Sequence, residues 1–166
     1  MDYRIIKLTQ GYECKVDAED YEELAAHKWH ISVSSNKTIY VSRTCSNRKK
    51  VLMHRIITNC PCDKIVDHIN HDGLDNRKSN LRICDKRGNM INTKKIRGKY
   101  SKYKGVSYDK NRFKWRVAIW DNNRPIIQKR FDDEIAAAMF YDQKAVEYYG
   151  EFAVTNADIG LLPKGV

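Results

Sequence analysis

From Val66 to Asn92 the chain reads VDHINHDGLDNRKSNLRICDKRGNMIN, and no apolar period runs through it. Neither the alternation of a half-buried strand nor the spacing of a helical face persists there. An acid and a histidine, Asp67 and His68, stand side by side at its start. Two turn signals follow, His71-Asp72-Gly73 and Asp75-Asn76, then Asn80, Asn89 and Asn92. Packing does not explain such a segment. The rest of the chain has to supply the core around it.

The local elements read as strand, loop, strand, helix. Val66–Ile69 suits a first strand, Gly73 allows a tight loop, Leu81–Ile83 suits a return strand, and a helix is expected to open near Asp85. Upstream, short strands are expected at Arg4–Leu8 and Tyr12–Val16, with a helix from Asp17 to about Lys28. A hairpin is expected from Trp29–Val33 and Thr38–Arg43. The run KKVLMHRIIT, Lys49 to Thr58, predicts an amphipathic helix with Val51, Leu52 and Ile56 inside and His54 and Arg55 at the rim.

Charge is segregated along the chain. Met1 to Asn76 holds eleven Lys/Arg against eleven Asp/Glu, Arg77 to Arg130 eighteen against three, and Phe131 to Val166 two against seven. A basic central block is the footprint of a polyanion, most often nucleic acid. No sustained amphipathic helix within it favours a membrane surface. No apolar run reaches the length of a membrane span, and no leader pattern follows Met1, so a cytoplasmic protein without membrane contact is expected. The five cysteines lack regular spacing, and Cys60-x-Cys62 is not a usual zinc-knuckle pair, so buried thiols are the expectation.

The residue types in the central stretch suit phosphodiester hydrolysis. A divalent cation neutralises the anionic phosphate and stabilises a leaving oxygen. Mg²⁺ (or Mn²⁺) takes oxygen donors and keeps several waters, so the Asp67 carboxylate and the Asn89 amide oxygen suffice as protein ligands. His68, with an ordinary imidazole pKa of about 6.5, suits the general base. Asn80 is the companion catalytic candidate, holding the strands and orienting His68 through hydrogen bonds to backbone. His54, Arg55 and Arg82 are candidate phosphate contacts, and His71 is a rival for such a role.

Asp67-His68, the DNR-x-x-NLR segment from Asp75 to Arg82, the terminal Asn89 and the upstream Met53-His54-Arg55 resemble the HNH homing endonucleases. The resemblance implies a ββα-metal site with Asp67 and Asn89 on the metal, His68 as base and Asn80 as the middle, structural asparagine. The last position is Asn rather than His, as in some members.

Thr93 to Lys104 is TKKIRGKYSKYK, with six Lys/Arg among twelve residues and Tyr100 and Tyr103 interleaved. Lys94, Lys95, Arg97, Lys99 and Lys102 are candidate phosphate contacts. Beyond it, Gly105–Tyr108, Lys114–Trp120 and Ile126–Phe131 read as three strands, and a helix runs from Asp132-Asp133-Glu134 to Gly150. Ile135, Ala138, Met139, Val146 and Tyr149 are expected to face the sheet, and Arg112, Lys114, Arg116, Arg124 and Lys129 the other side or the turns.

Tyr103-Lys104-Gly105-Val106, Trp115-x-x-x-Ile119, Phe131, Ala136-Ala137, Tyr141-Asp142 and Asn156 resemble the plant Apetala-type, ethylene-response-factor-like DNA-binding domain. That family binds DNA through its sheet, which implies contacts from Arg112, Arg116, Trp120 and Arg124. Gln128-Lys129-Arg130-Phe131 departs from the family's usual Leu-Gly-x-Phe.

The fold class expected is therefore α+β: a small N-terminal α+β unit, a ββα-metal nuclease motif, a basic linker and a C-terminal three-stranded antiparallel sheet on one helix. Residues 1–98 hold the first two, with the nuclease core at 53–92, and residues 99–166 the rest. The function expected is a site-specific DNA endonuclease of the phage or mobile-intron kind, acting on double-stranded DNA as a monomer. Two rivals are a DNA-binding regulator with a decayed nuclease motif and an RNA-binding protein that favours single strands or A-form helices.

Overall fold

The computed structural model describes residues 2–35, 37–93, 100–122 and 124–163. It is mixed α+β and divides into two compact units, Met1–Asn89 and Met90–Val166. Lys94, Lys95, Arg97 and Lys99 lie outside the described residues.

In the first unit, β1 (Tyr3–Lys7) pairs antiparallel with β2 (Glu13–Asp17). A short 3₁₀ turn, Ala18–Asp20, and a helix, α1 (Tyr21–Ala25), follow. The helix is shorter than the acid-rich sequence predicts, for two local reasons. Asp17 makes no capping hydrogen bond and its Oδ2 instead accepts the Lys78 N–H at 2.7 Å. At the other end the Trp29 indole donates to the Leu24 carbonyl at 2.7 Å, engaging a carbonyl near the end of the helix.

A three-stranded sheet orders β3 (His30–Val33), β4 (Ile39–Thr44) and β5 (Lys50–Leu52), and α2 (Met53–Ile57) leaves directly from β5. The run predicted as one helix is thus split. Val51 lies opposite Arg43 in the ladder, and the helical turns begin only at Met53. The orientation differs too: Met53 and His54 are the buried residues of α2. The core gathers Ile6, Leu8, Cys14, Val16, Leu24, Trp29, Val41 and Met53. Of the five thiols only Cys14 and Cys84 are buried, and Cys62 is exposed, so burial does not account for the whole set.

β6 (Ile65–His68) and β7 (Leu81–Cys84) form a two-stranded antiparallel pair, and α3 (Lys86–Ile91) follows β7. The Asp85 carboxylate accepts the Gly88 N–H at 2.8 Å and so caps the first turn of α3. The loop from β6 to β7 is held against β2. Lys15 N–H donates to the Leu74 carbonyl and Asn76 N–H to the Lys15 carbonyl, both at 2.8 Å. Gly73 is required by close approach: a Cβ there would lie 1.9 Å from the Ile39 carbonyl oxygen.

In the second unit, β8 (Val106–Asp109), β9 (Lys114–Asp121) and β10 (Arg124–Phe131) form an antiparallel sheet with β9 in the middle. α4 (Glu134–Tyr149) is capped by Asp133, whose Oδ2 accepts the Ala136 N–H at 2.6 Å. Its buried residues are Ala137, Ala138, Tyr141 and Ala145, whereas Ile135, Met139 and Val146 are exposed. The predicted stripe is therefore rotated. Small residues let the helix lie close to Val106, Val117 and Ile119. Asn156, fully buried, joins the ends of this unit: its Oδ1 accepts the Lys104 N–H at 2.7 Å and its Nδ2 donates to Asp142 at 2.8 Å. Among the described residues no helix is long and apolar enough to cross a membrane.

Candidate active site and nucleic-acid interface

The loop between β6 and β7 is a chain of side-chain turns. Asn70 Oδ1 accepts the Asp72 N–H at 2.8 Å, and Asp72 Oδ1 accepts the Leu74 N–H at 3.0 Å. Asp75 takes a two-pronged ion pair from Arg77, at 2.8 and 2.7 Å, which holds its carboxyl below the usual range. Asn80 closes the loop. Its Oδ1 accepts the Asn70 N–H at 3.0 Å, and its Nδ2 donates to the Asp75 carbonyl at 2.8 Å and to Asn70 Oδ1 at 2.9 Å. The Asn80 carbonyl also accepts the Ile69 N–H at 2.9 Å, so this one residue ties both strand ends together.

Asp67 and His68 are both buried on β6. Asp67 lies opposite Arg82 in the β6–β7 ladder, and the guanidinium donates to its Oδ2 from Nε at 3.0 Å and Nη2 at 2.9 Å. Asn89 is exposed in the later part of α3. Cys84, at the end of β7, is the common neighbour of these two elements. The Asn89 N–H points to its sulfur and the Asp67 charge acts on it, although burial is the main reason its pKa is raised. An acid oxygen and an amide oxygen are hard donors, which suits Mg²⁺ or Mn²⁺. The donor chemistry thus fits a divalent cation of the kind expected.

Two rings pack against the base candidate. His54 meets His68 edge-on with centroids 5.0 Å apart, and Tyr40 lies 5.4 Å from His54 and 5.9 Å from His68. Burial keeps the His68 imidazole below its usual pKa against the opposing pull of Asn76, Asp67, Asp72 and Asp75. It is therefore neutral near pH 7 and able to accept a proton. The His54 pKa is depressed to about 3 by burial, His68 and Arg55, and its Nδ1 has no hydrogen-bond partner among the described residues. A buried neutral ring is not a cationic phosphate contact, so His54 belongs to the wall of the site. Arg55 likewise faces protein: its guanidinium donates to the carbonyls of Cys60, Pro61 and Lys64 at 3.2, 2.7 and 2.9 Å. Arg82 is engaged by Asp67, and His71 adopts a left-handed backbone with φ 66° in the loop.

In the second unit the sheet has one face on α4 and one open face. Val117 and Ile119 point to the helix, so Arg116, Ala118 and Trp120 point away from it. Arg116 lies opposite Ser107 on one side and Arg130 on the other. Arg130 donates to Asp109 at 2.9 Å, and Arg112 lies 3.5 Å from the same carboxylate. Arg112 sits in the β8–β9 turn, Arg124 at the start of β10, and Lys102 is exposed with its ammonium over the Tyr103 ring. Lys129 departs from expectation. It pairs with buried Val117 on the helix side, its ammonium 4.8 Å from the Phe140 ring centre. Trp115 packs into the core beside Tyr108.

The residues that sequence reasoning missed are Tyr40, Asn76, Gln128 and Arg130. Asn76 was legible only as a turn residue. Gln128 and Arg130 follow from strand alternation once β10 is in register with β9, because they share a face with Ala118 and Arg116.

Residues 52–91, the stretch that carries Asp67, His68, Asn80 and Asn89, match the family model described as HNH endonuclease. A viral protein, "Uncharacterized HNH endonuclease L560" of Acanthamoeba polyphaga mimivirus, is 29% identical over 148 residues, covering 85% of this chain and 73% of that protein. Together these findings support an HNH nuclease. "AP2-like ethylene-responsive transcription factor TOE2" of Arabidopsis thaliana is 38% identical over 64 residues, which cover 39% of this chain and only 13% of that protein. No solved structure gives a significant match.

Proposed function

We propose that this protein is a site-specific DNA endonuclease of the homing kind, cutting with Asp67, His68, Asn80 and Asn89 and holding duplex DNA with its second unit. The observation that carries the reading is the loop closed by Asn80 beside the buried, neutral His68, within the segment matched by the HNH family. Asp67 and Asn89 would hold one Mg²⁺ or Mn²⁺, which when bound neutralises phosphate charge and stabilises the leaving 3′ oxygen.

His68 accepts the proton of the attacking water as its oxygen bonds to phosphorus. The bond from phosphorus to the 3′ oxygen breaks, that oxygen gains a proton, and 5′-phosphate and 3′-hydroxyl ends result. Asn80 keeps the loop backbone fixed while this happens. The open face of the second sheet, with Arg116 and Trp120, and the flanking Arg112, Arg124 and Lys102 hold the duplex. Lys94, Lys95, Arg97 and Lys99 add four positive charges to the sequence just ahead of this sheet. Dissimilar modules in tandem suit an asymmetric site read by a monomer.

Supercoiled plasmid incubated with the protein and Mg²⁺, Mn²⁺ or EDTA tests the proposal. Nicking or linearisation that needs the divalent ion and is lost in His68→Ala, with duplex affinity retained, is the expected result. Duplex binding without cleavage under any ion would instead mark a DNA-binding regulator, and preference for single-stranded RNA an RNA-binding protein.

A further inference from the structure

The side chain of Asn76 reaches the His68 ring from within the fold, and its contacts fix how it does so. The residue is fully buried. Its backbone N–H is tied to the Lys15 carbonyl of β2 at 2.8 Å, and its Nδ2 donates to the Gly73 carbonyl at 3.3 Å. A carbonyl only accepts, so the amide has one sensible orientation: nitrogen toward Gly73, oxygen toward the other neighbour. That neighbour is His68, whose Nε2 lies 3.4 Å from Asn76 Oδ1. An amide oxygen accepts and cannot donate, so a neutral His68 in this contact carries its proton on Nε2 and its lone pair on Nδ1.

We infer that Asn76 is a positioning residue for the nuclease reaction, fixing the His68 tautomer with the proton on Nε2 so that Nδ1 is the nitrogen that takes the proton from water. The inference rests on the nuclease reading above. It also gives the N-terminal hairpin a task. Lys15 of β2 brackets Asp75 through the Leu74 and Asn76 backbone, and Gly73 is pressed on Ile39 of β4, so both neighbouring sheets fix the loop that aims the amide. Asn80 ties the same loop to the strand ends, and Asn76 reaches the ring, so one asparagine shapes the loop and the other chooses the nitrogen. At 3.4 Å the contact is long in the absence of substrate, a common feature of catalytic hydrogen bonds before the complex forms.

Two-bond ¹H–¹⁵N spectra of the metal-free, ¹⁵N-labelled protein at pH 8 read the tautomer directly, with His68→Ala identifying the ring. The same preparations are assayed for single-turnover plasmid cleavage with Mn²⁺ and for duplex affinity. The wild-type ring is expected in the Nε2–H form. Asn76→Leu removes the acceptor and is expected to give mixed tautomers and a rate about 10- to 100-fold lower, with duplex affinity unchanged.

Should Asn76→Leu fail to fold, the wild-type spectrum still decides, because a proton found on Nδ1 overturns the assignment. A cleaving Asn76→Leu variant with wild-type rate and tautomer overturns it as well. A wild-type protein that cleaves no DNA with either ion removes the reaction itself, and that failure is distinct from active enzyme carrying the wrong tautomer.

Discussion

Asp67 and Arg82 face each other across the β6–β7 pair, and both guanidinium contacts, at 3.0 and 2.9 Å, fall on Oδ2 of the carboxylate. Both side chains are largely buried, so the pair replaces water that the charges have lost. The same carboxylate is the proposed metal ligand. On that proposal Arg82 would compete with a cation for Asp67. Arg82→Met is expected to lower stability in EDTA by about 3 kcal/mol, since it leaves the carboxylate without this cation. Mn²⁺ binding to the folded state should then restore more of the melting temperature in the variant than it adds to wild type. Thermal melts of both proteins with EDTA and with Mn²⁺ check this. Equal increments would show that Arg82 does not compete.

The buried rings set a pH dependence. His54 titrates at about 3 in the folded chain instead of its ordinary 6.5, because burial, His68 and Arg55 all disfavour its cation. As pH falls below about 6.5 the unfolded chain takes up a proton that the folded one refuses. Stability supplied by the neutral ring is complete above that value and is lost progressively down to about 3. The slope from this one group is at most about 1.4 kcal/mol per pH unit. His54→Phe keeps a ring against Tyr40 and His68 but cannot titrate. Urea midpoints at pH 7.5 and 4.5 are expected to differ less in the variant than in wild type, since carboxylate effects are common to both. Parallel losses would exclude His54 as the source.

How much of this was legible in the sequence depended on whether a residue's role was local. The β6–loop–β7–α3 order was readable because Asp and Asn turns, Gly73 and the Asp85 cap act within a few residues. His54 was placed at a rim because polarity argues for exposure. It is inside because α2 starts late, at Met53, and turns that side toward His68. On α4, weighting by hydrophobicity selected Ile135, Met139 and Val146. The helix instead buries alanines, because Gly105 and Tyr141 bring sheet and helix too close for larger side chains. Lys129 was misplaced for want of the β9–β10 register, which no short-range signal contains.

Gly105 offers a direct test of that close approach. Its φ is +76°, and a Cβ would lie 1.9 Å from the Tyr141 ring. Alanine there carries both left-handed backbone strain and overpacking, together about 3 kcal/mol. Gly160, also in the second unit, has the same φ, +76°, but nothing within 4 Å of a built Cβ. Gly160→Ala should therefore lose only the backbone share, roughly 1 kcal/mol. Chemical denaturation of both variants followed by the Trp115 and Trp120 fluorescence of the second unit checks the ranking. Similar losses would mean that Tyr141 moves aside at little cost.

The open face of the second sheet makes a quantitative claim about DNA. Arg116 and Arg130 lie opposite each other on the face away from α4, whereas Lys129 is on the helix side with its ammonium over Phe140. If the open face follows a duplex backbone, each phosphate contact releases condensed counterions and steepens the fall of affinity with salt. Arg116→Ala is expected to reduce the slope of log affinity against log salt by about 0.9, Arg130→Ala to reduce it by less, and Lys129→Ala to leave it unchanged. Arg130 is already ion-paired with Asp109, so its effect should be the smaller of the two arginines'. Asp109→Asn frees it and should raise affinity while steepening the slope. Binding isotherms on a fixed duplex from 50 to 300 mM salt, roughly the range over which such slopes are read, separate the faces. A slope that responds to Lys129 as strongly as to Arg116 would mean that the nucleic acid does not lie on the open face.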